Sequence, residues 1–412
     1  MAHAKEAQIA RLPPEILRMI FEDAFGLGGD SDTQRSKTRI SLLSTCAGWR
    51  AVALETRVLW SSLLLHTRVG QHWPELIDTC LARSGNSLLT VTIKGGVGYP
   101  FPHVAYRLAP LMPRVKSLCA SGNYSTLSIL RACLAQPAPE LMSFVATSGS
   151  DEPFPVLLDF FPAAPKLEYL YWRGCRLALP GSLPMLETAN FAAASTDELA
   201  RLASVAPRLV NVIVHFTTPV VHPPVPLRAI LHLDLTCHTP IIATSIHAPA
   251  LHSAALKLTE PRIFHLHPLR VFLRRNCARL VRLELSFAGD FTKLAAALAL
   301  CAQLRELTLG DIGWATSFVA AFLRDMARTD AASAWVCPRL EELTLRVVHL
   351  ESAVRTALVK LVEARRVSVP EGVRPPCPLR LTKVVRSDQG NDISRRANYA
   401  ALNKKLQELL VS

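Results

Sequence analysis

The sequence lacks any apolar run long enough to cross a bilayer. No apolar stretch reaches the roughly 18 uncharged residues that a span requires, and the most apolar candidate, Leu294–Leu304, is too short. The opening residues, MAHAKEAQIARLPPE, hold no apolar leader core. Together these lead to the expectation of a cytoplasmic or nuclear protein with no membrane partner. Paired cysteines are missing as well. Ten cysteines are scattered from Cys46 to Cys377 without a CxxC, whereas zinc sites and disulfide frameworks need clustered spacing. Free thiols in a reducing compartment are expected, with no metal and no cofactor. Catalytic signatures are equally scarce: there is no GxSxG, HExxH or DxDxD. The glycine-rich GLGGD at Gly26–Asp30 follows no strand and precedes no GKS or GKT, so it does not read as a phosphate loop. Eight of the thirteen histidines fall between His215 and His267. They are spread over more than two repeats and interleaved with prolines, which is not how convergent metal ligands are placed. The chain is therefore read as non-enzymatic.

What is present is the composition of a folded protein, 50% hydrophobic and 19% charged. Its net charge of +13 is uneven. Residues 1–85 carry 10 basic and 9 acidic groups, residues 86–370 carry 28 and 20, and residues 371–412 carry 8 and 4. The densest run is Arg270, Arg274, Arg275, Arg279 and Arg282. A basic surface favours acidic partners, of which nucleic acid is one kind, and a solvated helix face is the competing reading. The low aromatic content, 7%, disfavours nucleic acid.

Near the N-terminus, IARLPPEILRMIFEDAF places Leu12, Ile16, Met19 or Ile20, and Phe21 at helical spacing. Pro13 and Pro14 suit a helix start, and Glu15 suits the positive end of its dipole. A helix is expected from about Pro14 to Phe25. The polar, glycine-rich stretch from Gly26 to Thr38 reads as a loop. RISLLSTCAGWRAVALET then reads as one further helix, with Leu42, Leu43, Cys46, Trp49, Val52 and Ala53 on a broad face. RVLWSSLLL follows, with Leu59, Trp60 and Leu63. So short a segment holds too little core to fold comfortably alone, and its surplus of apolar residues suggests an interface.

The order LPPEIL…IF, then LL…C…WR, then LW resembles the F-box. Its start falls on Leu12, Pro13, Glu15, Ile16, Leu17, Ile20 and Phe21. The centre falls on Leu42, Leu43, Cys46, Trp49 and Arg50, and the close on Leu59 and Trp60. There are departures: the Gly26–Thr38 loop is longer than usual, Thr45 stands where valine is common, and Gly48 stands where a basic residue is common. The segment Cys80–Ile93 resembles one that follows the F-box in many fungal members. The likeness implies an adaptor function, in which the F-box docks a Skp-family adaptor and through it a cullin ligase. The residues that would meet the adaptor are Leu12, Pro13, Ile16, Leu17, Ile20, Leu43, Cys46, Trp49 and Trp60. The alternative is that several of them, Trp49 above all, pack the helices on themselves.

From Leu88 onward one phrase recurs: apolar-x-x-apolar-x-apolar. It begins at Leu88, Val115, Leu141, Leu167, Leu186, Leu209, Ile230, Leu251, Leu280, Leu304 and Leu340, with Ala364 as a twelfth start. Most gaps fall in the range of leucine-rich repeats. The phrase ends in a short strand with one buried face. Helical stretches are expected at Thr126–Leu134, Thr196–Ala206, Phe291–Cys301 and Ser317–Thr329. Proline or cysteine stands two or three residues before many starts (MPRV, APEL, APKL, CARL, CAQL, CPRL), where it separates helix from strand. The asparagine of strict repeats is mostly missing. One such unit cannot bury its apolar face, but a stack can.

The fold expected is α/β: a small helical F-box-like domain (1–65), a helical connector (66–86), and a curved leucine-rich-repeat solenoid (87–370) with its parallel sheet inside and helices outside. A proline-rich break and a basic C-terminal helix (371–412) follow, the polar KVVRSDQGNDI reading as loose chain. The inner sheet is the default surface for a protein target. Its outward candidates are Tyr169, Tyr171, Arg173, His215, His232, Arg282, Arg305 and Arg346, with Asn211, Asp234, Glu284, Glu306, Thr308, Glu342 and Thr344 between them. The function this suggests is target recognition for an SCF-type ubiquitin ligase. The alternatives are a repeat scaffold acting outside a ligase and, less favoured, a nucleic-acid binder.

Overall fold

The computed structural model describes residues 12–27, 32–66, 73–95, 106–122, 130–148, 154–173, 175–179, 181–220, 224–258, 266–286, 293–310, 316–327, 335–347, 352–365, 376–379, 381–386, 400–406 and 408. These residues form a mixed α/β protein built on parallel sheet and helices. The chain divides into two compact units: Met1–Glu187 with Val205–Pro207, and Thr188–Ser204 with Arg208–Ser412.

Unit 1 opens with three helices. In α1 (Pro14–Leu27), the Leu17 amide donates to the Pro13 carbonyl at 3.1 Å. The two prolines thus sit where no helical donor is needed. Leu17, Phe21 and Phe25 recur every fourth residue and are buried. α2 (Asp32–Thr45) corrects the loop expected over Gly26–Thr38, since it is helical from Asp32 onward. Its first turns, DTQRSKTR, offer no apolar stripe for periodicity to detect. Residues 28–31 lie outside the described residues. α3 (Ala47–Glu55) is a second correction, because the single helix expected through Cys46 is broken there. Cys46 is extended (φ −157°, ψ 172°), and its Sγ accepts a hydrogen bond from the Trp49 amide at 3.4 Å. A sulfur here performs the N-cap task usual for a hydroxyl.

Five strands of unit 1 form a parallel sheet in the order β1 (Ser62–His66), β2 (Leu89–Lys94), β3 (Val115–Gly122), β4 (Ser143–Ser148), β6 (Tyr169–Arg173). β5 (Phe154–Asp159) pairs separately with β7 (Cys175–Ala178). α4 (Trp73–Ser84) crosses between β1 and β2. The sheet therefore starts one strand earlier than the repeat phrase predicts. It also corrects the first phrase: Leu88 is 42% exposed, while Leu89 is buried and pairs with Val115. This repeat is one residue short, and a register shift between Leu89 and Thr90 absorbs the difference.

Unit 2 carries eight parallel strands in the order β8 (Thr188–Ser195), β9 (Asn211–Val220), β11 (His232–Cys237), β13 (Ser253–Leu258), β14 (Arg282–Ser286), β15 (Glu306–Gly310), β16 (Glu342–Val347), β17 (Leu381–Arg386). β10 (Val225–Pro226) and β12 (Ile246–His247) form a separate pair. The helices are α5 (Thr196–Val205), α6 (Leu266–Asn276), α7 (Leu294–Leu298), α8 (Thr316–Met326) and α9 (Ser352–Ala364); residues 400–406 are also helical. The twelfth phrase is corrected. Ala364 ends α9, residues 366–370 lie outside the described residues, and the strand beside β16 is Leu381–Arg386, which includes part of the stretch expected to be loose.

The apolar phrase stacks in register. Val212, Leu233, Ala254, Leu283, Leu307 and Leu343 are Cα partners in turn across six strands, and all are buried. Each leucine so buried contributes about 2 kcal/mol from lost apolar surface. The proline or cysteine punctuation has a geometric cause. The carbonyl three residues before the first apolar position accepts that residue's N–H, as in Ala138–Leu141, Ala164–Leu167, Cys301–Leu304 and Cys337–Leu340 at 3.0–3.2 Å. Those positions are buried under the turn; alanine or cysteine fills these four, and Met112 and Leu183 fill the same place ahead of Val115 and Leu186.

Two buried polar side chains complete unit 2. Asn276 accepts from the Ala248 amide at 2.6 Å and donates to the carbonyls of Ile246 and Phe272. Arg365 donates to the carbonyls of Val336, Cys337 and Leu340. Each satisfies backbone groups that would otherwise be buried unpaired, at a cost of about 1–3 kcal/mol apiece.

Candidate protein-binding surfaces

α1 has two apolar faces. One packs inward through Leu17, Phe21 and Phe25, with Phe21 against Trp49 at 5.1 Å between ring centroids. The other carries Ile16, Met19 and Ile20, which are 43%, 61% and 44% exposed. Spacing of three and four residues puts these on one stripe. Ile40 on α2 is exposed too. Of the residues expected to meet an adaptor, Pro13, Ile16, Ile20 and Cys46 are exposed, and Leu12, Leu43 and Trp49 are half-buried.

Leu17 and Trp60 are corrections, at 5% and 6% exposure. Trp60 donates its indole N–H to the Ala53 carbonyl at 2.9 Å. The guanidiniums of Arg39 and Arg83 lie over its ring at 5.3 and 4.7 Å. Arg39 also donates to the carbonyls of Leu59 and Ser62. Trp60 thus joins α2, α3 and α4 and offers no surface to a partner. Met19 and Ile40 are the apolar surface residues that the motif did not select. The helical period had pointed to Met19, whereas nothing in the sequence around Ile40 marked it.

The second candidate surface is the outward side of the strands. In unit 1, Tyr169, Tyr171 and Arg173 alternate with the buried Leu170 and Trp172. The Arg173 guanidinium lies 5.5 Å from the Tyr171 ring centroid. Burial, and to a lesser degree Tyr171, holds the Tyr169 hydroxyl above its usual range. Neighbouring strands add uncharged positions in register: Thr90, Ser117 and Ser143 beside Tyr169.

In unit 2 the outward row runs Asn211, His232, Ser253, Arg282, Glu306, Glu342. This row and the outward positions next to it along the strands carry three ion pairs. Arg282 donates to both oxygens of Glu306 at 2.5 and 2.8 Å, Lys257 to Asp234 at 2.8 Å, and Arg346 to Glu284 at 2.9 Å. The last pair reaches across β15, and Gly310 makes room for it. A Cβ on Gly310 would stand 3.1 Å from Arg346 Cδ and 3.3 Å from Ser286 Oγ. His215 and His232 take outward positions on β9 and β11. Burial lowers the His232 pKa, helped by His252 and Arg282. Arg305 is corrected: it precedes β15, in the turn, where it pairs with Glu341 at 3.7 Å rather than facing off the sheet.

Among the described residues, no three His, Cys, Asp or Glu side chains form a group that could hold a metal, and no helix is long and apolar enough to cross a membrane. No family model matches the chain, and no curated protein matches its sequence.

Proposed function

We propose that this protein is a target-recognition adaptor of an SCF-type ubiquitin ligase, with α1 docking a Skp-family adaptor and a leucine-rich-repeat-like sheet receiving a protein target. The observation that carries the reading is the apolar stripe Ile16, Met19, Ile20, exposed on a helix whose opposite face is already satisfied by Leu17, Phe21 and Phe25. A stripe of that kind gains by covering, and it lies within the F-box-like motif. The mechanism is positional. Holding a target near a charged conjugating enzyme raises the effective concentration of its lysines, with no chemistry assigned to this chain.

The paired charges of unit 2 favour a protein target over nucleic acid. Lys257, Arg282 and Arg346 each already serve a carboxylate, so the strand face itself has little counterion release to drive phosphate binding. The scaffold alternative keeps the repeats and drops the ligase. Co-purification of the full chain with a Skp-family adaptor separates the two. Stable binding lost on changing Ile16, Met19 and Ile20 supports the ligase reading, and no binding by the wild type removes it.

A further inference from the structure

The turns ahead of β14, β15 and β16 each contain a cysteine, and the turns stack. Cys277, Cys301 and Cys337 stand five residues before Arg282, Glu306 and Glu342, which are Cα partners across the sheet. Each cysteine carbonyl accepts the N–H three residues on, from Leu280, Leu304 and Leu340 at 3.3, 3.2 and 3.0 Å. The three turns thus share one hydrogen bond and lie ahead of adjacent strands, one strand spacing apart. That spacing, about 4.8 Å, falls within the roughly 4.4–6.8 Å between Cα atoms that a disulfide spans.

The three thiols, all free, differ in what surrounds them. Cys337 is fully buried at φ +49°, and its Sγ donates to the Leu298 carbonyl at 3.3 Å. Cys301 is buried and Cys277 is half-exposed. Arg274, Arg275 and Arg279, all exposed, lie within three residues of Cys277, and α6 carries no carboxylate. The C-terminal end of α6 disfavours a thiolate, so what favours one must come from the neighbouring turn. Interaction with the Cys301 side chain lowers the Cys277 thiol from its ordinary range while burial opposes, and interaction with Cys277 together with burial raises Cys301. A half-exposed thiol beside a buried second thiol that lowers its pKa is an arrangement in which oxidation is site-selective.

We propose that Cys277 is an oxidation site for hydroperoxides and that Cys301 resolves it to a disulfide linking the turns ahead of β14 and β15. The Cys277 thiolate attacks one peroxide oxygen. The bond is made to the terminal O–H oxygen: an S–O bond forms, the O–O bond breaks, and alkoxide leaves, or hydroxide where the oxidant is hydrogen peroxide. The sulfur is oxidised by two electrons and the peroxide is reduced. The Cys301 sulfur then attacks the sulfenic acid, the S–S bond forms, the S–O bond breaks, and water departs with the Cys301 proton. Nothing in this proposal depends on adaptor binding.

Cys46 supplies an internal control: an exposed thiol in unit 1, engaged as a helix cap. The full chain is exposed to hydrogen peroxide, alkylated, digested and read by mass spectrometry. The expected result in the wild type is a Cys277–Cys301 linked peptide as the main disulfide, with Cys277 lost several-fold faster than Cys46. C301S should leave Cys277 as sulfenic acid that dimedone captures, and C277S should leave Cys301 reduced. The proposal is overturned if Cys277 reacts no faster than Cys46, if the linked peptide is absent, or if Cys301 pairs with Cys337 instead. The wild-type measurement decides it even where a variant fails to fold.

Discussion

The two units bury the same apolar phrase and present different chemistry outward. In unit 1 the N-terminal helix leaves Ile16, Met19 and Ile20 partly in solvent, and the strands offer threonine, serine and tyrosine with Arg173 over Tyr171. In unit 2 the outward strand positions carry paired charges, Lys257–Asp234, Arg282–Glu306 and Arg346–Glu284. Short helices and stacked strands explain the contrast. A three-helix segment has a small interior, and a helix within it can satisfy only one stripe. A strand has every second residue covered by its neighbours in the stack, so its apolar residues are consumed internally. Apolar docking is thus available on the helices, and directional hydrogen-bonding recognition on the strands.

The largest effect should come from α1. Replacing Ile16, Met19 and Ile20 together by Asp removes apolar surface that is 43–61% exposed. Adaptor co-purification should fall by more than about 100-fold, while the melting temperature moves by no more than about 2 °C, as for surface substitutions. Equal losses of binding and stability would place the stripe in the core and erase the contrast between the units. The converse test lies in unit 2. Asn276→Ala leaves the Ala248 amide and the Ile246 carbonyl buried without a partner. Denaturant titration should show a loss of about 3 kcal/mol, with adaptor binding unchanged.

A smaller effect is expected at Gly310. A valine there meets Arg346 and Ser286 and should force Arg346 off Glu284. Both partners of that ion pair are partly exposed, so the loss should be about 1 kcal/mol. In a double-mutant cycle, Gly310→Val and Arg346→Met should be non-additive, because the second change removes what the first displaces. Additive losses would mean that the pair contributes nothing and that the charged face of unit 2 is held by backbone alone.

The strand rows were legible because the phrase marks its buried positions directly: Leu283 and Leu285 leave Arg282 and Glu284 outward with no further information. The turns were legible through their proline and cysteine punctuation, although the carbonyl–amide bond within them was not. What escaped followed from local physics without an apolar signature. α2 begins in DTQRSKTR, where polar residues conceal a helix held by its later turns. β1 was hidden because SLLLH is too short for alternation to show. Trp60 was assigned to a partner because a motif records that a residue recurs, not which way it faces. Gly310 carried no signal at all, since its role depends on a side chain 36 positions away.

The smallest expected effect concerns His232, and it tests whether the strand faces are kept uncharged where they are not ion-paired. Burial lowers its pKa below the ordinary 6.5, and His252 and Arg282 add to the effect. The His252 ring centroid lies 6.3 Å away, Asn211 and Ser253 flank His232 in register, and Asp234 stands two residues on, tied to Lys257. With the folded pKa below the unfolded one, the unfolded chain binds the proton more readily. The stabilising contribution is therefore complete above 6.5 and is lost as pH falls through the folded value. Proton NMR of the imidazole should show titration below 6.5. His252→Ala or Arg282→Met should move it upward, by removing a neighbour that repels the imidazolium. A midpoint that stays in place in both variants would leave burial as the sole cause. In unit 1, Tyr169 is held in its neutral form by burial and by Tyr171, the same outcome reached on a group of opposite charge type. If His232 instead titrates at or above 6.5, the two faces part company: Tyr169 in unit 1 stays neutral near neutral pH, and unit 2 gains a pH-dependent charge in the middle of its outward row.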